Sequence, residues 1–173
     1  MAHSSGAKKH IQIDVSSDTV CPWCFVGKKN LDKAIDQTKD KFDFEVRWHP
    51  FFLNPSAPKE GVKKSDFYKQ KFGAAQYERI ISRMTEVYRG LGLEYDTSGL
   101  TQVLLEAARK VGIEGAADLL DDPSKGAEEV NEELEKYSSH ISGVPHFVIN
   151  GKHELSGGQP PEVFVRAFQA AAN

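Results

Sequence analysis

Cys21 and Cys24 are the two cysteines of the 173-residue chain, and they are separated by Pro22 and Trp23. Dithiol exchange needs that arrangement: an exposed, stabilised thiolate to attack a disulfide, and a second thiol close enough to close the ring and release the mixed disulfide. Pro22 suits the first turn of a helix, where its missing N–H has no intrahelical partner to lose. A helix starting there places Cys21 beside unpaired backbone N–H groups and the positive end of the helix dipole, and both favour a charged sulfur. Cys21 is therefore the candidate nucleophile and Cys24 the candidate resolving thiol. Trp23 brings no cationic charge, so the backbone and helix must stabilise the thiolate, while its ring offers an aromatic surface to a substrate.

Half of a zinc site is the competing reading of the pair. Zinc usually takes four ligands, and without a second cysteine pair the missing ones must come from His3, His10, His49, His140, His146 or His153. A strand leading into the pair and a helix following it favour redox chemistry, so no metal ligand is assigned.

The elements that must position the pair follow from periodicity. Ile11, Ile13 and Val15 alternate with Gln12 and Asp14, as in a short strand running toward the cysteines. From Pro22 onward Phe25, Leu31, Ala34 and Ile35 recur at helical spacing, with Lys28, Lys29, Asp32 and Lys33 free to face water. Phe44 to Phe52 reads as a second strand. An amphipathic helix is marked by Ala74, Tyr77, Ile80, Ile81, Met84, Val87 and Tyr88, and Gly90 can end it. Shorter helices are expected over 103–111 and 113–120, with another from a Ser124 cap through Tyr137. Asn150-Gly151 then predicts a hairpin between Phe147–Ile149 and Lys152–Leu155, and Pro160-Pro161 opens a last helix. A βαβ unit at the start and a ββα unit at the end make a small mixed α/β sheet flanked by helices. Residues 11–56 and 143–172 form that domain, 63–140 a helical insertion, and 1–10 a disordered terminus.

Composition excludes several classes. Its 22 basic and 25 acidic residues are interspersed and give a net charge of −3, so no basic stripe suits nucleic acid. No apolar span is long enough for a membrane, and Met1 to His10 lacks the apolar core of a secretory signal, so the expected location is cytoplasmic. The triplet Asn54-Pro55-Ser56 has proline in the middle and is not a glycosylation acceptor.

Asp18-Thr-Val-Cys-Pro-Trp-Cys-Phe-Val-Gly27 resembles the active-site segment of DsbA-like oxidoreductases of the FrnE type. Arg47-Trp-His-Pro-Phe-Phe-Leu-Asn-Pro55, Gly92-Leu-Glu-Tyr95, Gly143-Val-Pro145 and Leu155-Ser-Gly-Gly-Gln-Pro160 extend the likeness in order over nearly the whole chain. The resemblance implies a thioredoxin-like fold with a helical insertion and Pro145 as a cis-proline facing the cysteines. It implies that the Val144 backbone pairs with an extended substrate peptide, with Pro22, Trp23 and Phe25 as further substrate contacts. It also makes Asp14 a candidate acid beneath Cys24, able to exchange a proton with it; a polar residue on a solvated face is the plain alternative. His49 and His146 read as structural or rim residues, because neither has a recognisable sequence partner.

Between Leu100-Thr101-Gln102 and Val103-Leu-Leu-Glu-Ala107 the family carries a further stretch of about two helices, which this chain lacks. A shortened insertion implies an incomplete lid and more exposed apolar surface.

Partners on this reading are protein or small-molecule thiols and disulfides, with glutathione a candidate reductant and no bound cofactor. The oligomeric state stays open, a homodimer included. Two alternatives remain. One is a glutathione-dependent reaction like that of the 2-hydroxychromene-2-carboxylate isomerases and kappa-class transferases, which carry serine at the position of Cys21. The other is a non-enzymatic redox-sensitive chaperone or metal-binding protein.

Overall fold

The computed structural model describes residues 7–58, 62–95, 110–116, 122 and 124–173. The chain divides into two compact units, Met1–Leu53 with Glu132–Asn173, and Asn54–Asn131.

The first unit is built on a four-stranded sheet. Strand β1 (Lys9–Ser17) leads into helix α1 (Pro22–Thr38), and β2 (Phe42–Pro50) returns parallel to β1. After the excursion through the second unit, β3 (His146–Ile149) pairs antiparallel with β1, β4 (His153–Ser156) pairs antiparallel with β3, and α5 (Pro161–Ala171) ends the chain. The order across the sheet is β2-β1-β3-β4. This is the mixed α/β thioredoxin-like architecture expected from the sequence.

Alternation along β1 sorts its side chains. Ile11, Ile13 and Val15 are fully buried on one face with Phe147 and Ile149 from β3, Leu31 and Ala34 from α1, and Phe164 and Phe168 from α5. The rings of Phe147 and Phe164 meet edge-on at 4.8 Å. Each such ring contributes about 2–3 kcal/mol by leaving water. The opposite face carries Asp14 and Ser16 of β1 and His49 of β2, covered by a wider π-type turn, Leu134–Ser138, whose Tyr137 stacks on His49 at 3.5 Å. The Ser138 hydroxyl ties the same turn to the Pro50 carbonyl at 2.6 Å. Residues 132–140, grouped by periodicity with the insertion, thus lie in the sheet unit.

Strand β1 begins at Lys9, so the expected disordered stretch 1–10 is too long at its far end. Lys9 and His10 pair with Phe42 and Asp43, and because their side chains face water they carry no apolar alternation to betray the strand. Residues 1–6 lie outside the described residues. The expected hairpin is present, with Asn150 and Gly151 at positive φ, 50° and 65°, and the Lys152 N–H closing the turn on the Ile149 carbonyl at 3.1 Å; the ladder resumes one residue later than expected, at His153, which pairs with Ile149. Asn150 also receives the Gln12 N–H on its side-chain oxygen at 2.8 Å and donates its side-chain amide to the Ala171 carbonyl at 3.1 Å.

In the second unit α2 (Lys64–Phe72) and α3 (Ala74–Gly90) are joined at Gly73, whose φ of 80° breaks the helix. The chain leaves α3 through Gly92, also at positive φ, with the Leu93 N–H closing back on the Tyr88 carbonyl. Helix α4 (Ala127–Glu133) follows a turn in which the Ser124 hydroxyl donates to Asp122 at 2.6 Å instead of capping the helix. The helices expected over 103–111 and 113–120 fall mostly outside the described residues. Among those described, no helix is long and apolar enough to cross a membrane.

Candidate active site

Cys21 occupies the N-cap of α1 in extended conformation, with Pro22 opening the first turn. The chain reaches it through a tight turn in which the Cys21 N–H donates to the Asp18 carbonyl at 3.0 Å, and the Cys24 N–H closes the first helical turn on the Cys21 carbonyl at 3.2 Å. The two cysteines are free thiols 3.5 Å apart. Exposure hardly distinguishes them, at 8 % for Cys21 and 5 % for Cys24. Protonation does. The Cys24 thiol and the backbone N–H groups of Cys24 and Trp23 lower the Cys21 pKa to about 6, against burial and the Asp18 charge. Cys24 moves the other way: donating to Cys21 and being buried both hold its proton on, and the Ser17 hydroxyl and Asp18 backbone only partly offset this. At neutral pH the first sulfur is an anion and the second a thiol.

Across from Cys21 the Val144–Pro145 peptide bond is cis. Cys21 Sγ lies 3.7 Å from the Val144 carbonyl oxygen. Gly27 of α1 sets how closely the helix and this loop pack, because a Cβ there would stand 2.9 Å from Pro145 Cγ and 3.0 Å from Phe147 Cζ. Such distances leave room for a hydrogen only. Trp23 lies against Gly158 in a similar way, since a Cβ on that glycine would meet Trp23 Cε3 at 3.3 Å. Pro22, Trp23 and Val144 are half-buried, whereas Phe25 is 40 % exposed with Lys29 over its ring.

Asp14 is not brought to Cys24. It belongs to the polar face of β1, opposite Ile13, Val15 and α1, where its carboxylate accepts from Gln12 Nε2 at 2.8 Å and pairs with His49 Nε2 at 3.0 Å. The other ring nitrogen of His49 faces Glu133. His49 therefore has two carboxylate partners, 35 and 84 residues away in the chain, which local sequence could not show. The acid near the sulfurs is Asp18, whose carboxylate accepts the Val20 N–H at 3.0 Å and the Leu53 N–H at 2.7 Å. An aspartate two residues before a backbone partner is the signature of an Asx turn, and that signal was available in the sequence. His146, at the start of β3, accepts or donates at Nδ1 with the Ser156 hydroxyl at 3.1 Å.

Among the described residues no group of three or more histidine, cysteine, aspartate or glutamate side chains is arranged to hold a metal ion. The site consists of a sulfur anion at a helix mouth, a protonated partner beside it, and the Val144 backbone carbonyl 3.7 Å from the first sulfur.

Comparison with known proteins places this geometry. The chain is 28 % identical to the uncharacterized protein YwbO of Bacillus subtilis over 196 aligned positions, which take in 91 % of this chain and 96 % of the relative. Its structure is similar to that of a "probable DsbA oxidoreductase" from Streptomyces coelicolor, with a TM-score of 0.76, 25 % identity and coverage of 94 % and 90 % of the two chains. A 2-hydroxychromene-2-carboxylate isomerase shares the fold at a TM-score of 0.60 and 11 % identity, covering 92 % of this chain and 95 % of that one. The family model for DSBA-like thioredoxin domains matches residues 12–101 and 74–169, which include both cysteines, the cis-proline loop, most of β1 and the other three strands, and the chain belongs to that family of thiol–disulfide oxidoreductases.

Proposed function

We propose that the chain exchanges disulfides through Cys21 as nucleophile and Cys24 as resolving thiol. The observation that carries this is the opposed protonation of two adjacent sulfurs, one lowered to about 6 and the other raised. The Cys21 thiolate attacks one sulfur of a substrate disulfide, an S–S bond breaks, and the first substrate thiolate leaves. Cys24 then loses its proton and attacks Cys21 Sγ. The Cys21–Cys24 bond forms, the mixed disulfide breaks, and the second substrate thiolate departs. Two electrons pass from the dithiol to the substrate; with the protein starting as the disulfide, the same steps run in reverse and oxidise it. Glutathione is the candidate reductant that returns the pair to the dithiol, and a cytoplasmic location would keep it there.

The Val144 carbonyl and its loop supply an extended surface on which a substrate peptide can align. Pro22, Trp23 and Phe25 form its neighbouring contact face. Pro145 packs against Gly27 and fixes how far that surface stands from the sulfur. Insulin reduction with dithiothreitol tests the reading: Cys21→Ser should remove the protein-dependent rate, and Cys24→Ser should accumulate a mixed disulfide on residue 21. A Cys21→Ser protein as active as wild type would leave only a binding role.

The finer kinship to the FrnE type, with a shortened insertion, is supported by the quoted motifs and by an alignment to the Bacillus relative that runs over more positions than this chain has residues. The junction where the missing stretch would fall, between Gln102 and Val103, lies outside the described residues. Strong dye binding by the native protein is expected, and a dye-silent protein of ordinary stability would contradict a truncated lid. The isomerase-like reading draws on shared fold alone. Tight glutathione binding by Cys24→Ser without a mixed disulfide would favour it.

A further inference from the structure

The polar face of the sheet carries a cavity of about 430 Å³ beside the cis-proline loop, with His140, Ser142, Val144, His146, Glu154 and Ser156 in its wall. The pleat explains why His146 points there. Phe147 next to it is in the core against Phe164, so His146 takes the other face, in register with Ser16 on one side and Ser156 on the other. His146 is 6 % exposed. Its Nδ1 is held by the Ser156 hydroxyl, while its Nε2 is buried without a hydrogen-bond partner and lies 3.5 Å from the Glu154 carboxylate.

Burial holds the His146 imidazole below its ordinary pKa, with Glu154 pulling the other way and His140 adding to the lowering. The ring is therefore neutral at neutral pH and has one nitrogen to satisfy. Leaving a buried polar atom unpaired costs about 1–3 kcal/mol. With the ring proton on Nδ1 and donated to Ser156, Nε2 is an acceptor beside a carboxylate that can only accept; in the other tautomer Nε2–H faces Glu154 and the carboxylate is the acceptor left to the cavity. In either tautomer the wall offers an acceptor and a negative charge, which suit a head group that only donates and is itself positive. An anion would be repelled by Glu154, and an apolar group would leave the buried Nε2 without a partner.

We infer that this cavity receives the ammonium or guanidinium of a lysine or arginine in the peptide whose disulfide meets Cys21, so that Glu154 and His146 act as specificity determinants. The inference rests on the exchange reading for the identity of the peptide. Val144 links the two places: its carbonyl stands 3.7 Å from Cys21 Sγ, and the same residue lines the cavity. An extended chain advances about 3.3 Å per residue, so a long side chain one or two residues from the reacting cysteine reaches the cavity mouth.

The test uses the full-length protein with its histidine rings labelled with nitrogen-15, titrated with a cysteine-free hexapeptide carrying one central lysine and with its norleucine and glutamate counterparts. The lysine peptide should shift His146 Nε2 saturably. Binding should weaken about five- to tenfold for norleucine, and by a similar factor when Glu154→Gln meets the lysine peptide. Glu154 is exposed at the rim, so that variant should fold. Equal binding of lysine and norleucine, undiminished binding by Glu154→Gln, or a response to zinc chloride alone would overturn the inference. Because these peptides hold no sulfur, the outcome is independent of redox activity. Insulin reduction without lysine-peptide binding would sink the cavity alone, and lysine binding without insulin reduction would sink the exchange reading alone.

Discussion

The sheet unit and the helical unit bury apolar surface in different ways. In the first, ten side chains from β1, α1, β2, β3 and α5 make one continuous core, five of them aromatic or β-branched residues of the two central strands. In the second, among the described residues, α3 buries Tyr77, Met84 and Tyr88 while α2 buries none, and Lys64, Lys69 and Lys71 lie over the rings of Tyr68, Tyr77 and Phe72. Large apolar side chains stay exposed in both units, Val20, Phe25, Trp48, Phe52 and Leu53 in the first and Val62, Phe72, Val111 and Ile113 in the second. Chemistry that depends on tenths of an ångström is carried by the unit with the dry core.

The largest expected effect breaks the core under the site. Phe147→Ala should cost about 3–5 kcal/mol in chemical denaturation and loosen the loop that faces Cys21. Met84→Ala in the helical unit, which removes a smaller and more flexible buried side chain, should cost nearer ~2 kcal/mol and should leave Cys21 alkylation unchanged. Equal losses, or an altered Cys21 in the second variant, would erase the distinction between the units.

A smaller pair of changes sharpens it. Gly27→Ala forces a methyl against Pro145 and Phe147 and should cost about 1–3 kcal/mol together with most of the exchange rate. Gly73→Ala meets open space but a φ of 80°, so it should cost about 1–2 kcal/mol of stability and leave exchange intact. Parallel insulin assays on the two variants decide the matter.

The smallest effect is electrostatic and confined to the sheet unit. Iodoacetamide should modify Cys21 with a midpoint near pH 6, where its pKa is lowered to about 6, while Cys24 stays unreactive into the alkaline range. A thiol whose pKa falls on folding gives up its proton more readily in the native state. The dithiol protein should therefore gain stability from about pH 6 toward 9 and lose it as pH drops back through 6. Subtracting the Tm of the disulfide form at each pH isolates that slope, and a flat difference would remove the stabilised thiolate.

Much of this arrangement was legible in the residues themselves. Alternation gave β1, Asn150-Gly151 gave the hairpin, and Cys21-Pro22 gave the mouth of α1, because each is a local preference that the tertiary structure keeps. The role offered for Asp14 conflicted with the same alternation: with Ile13 and Val15 inward, a carboxyl between them must face away from α1. The partners of His49 were invisible for another reason. A hydrogen bond spanning 84 residues leaves no trace in spacing, and neither does the gap that requires glycine at position 27.

Asn150 behaves as a piece of main chain made from a side chain. Its amide lengthens the ladder beside Gln12 and reaches the last carbonyls of α5, so three stretches far apart in sequence share one fastening point. Opening of the hairpin tip and fraying of the C-terminal helix then become a single cooperative event, and whatever loosens one end of the sheet is felt at the chain's terminus.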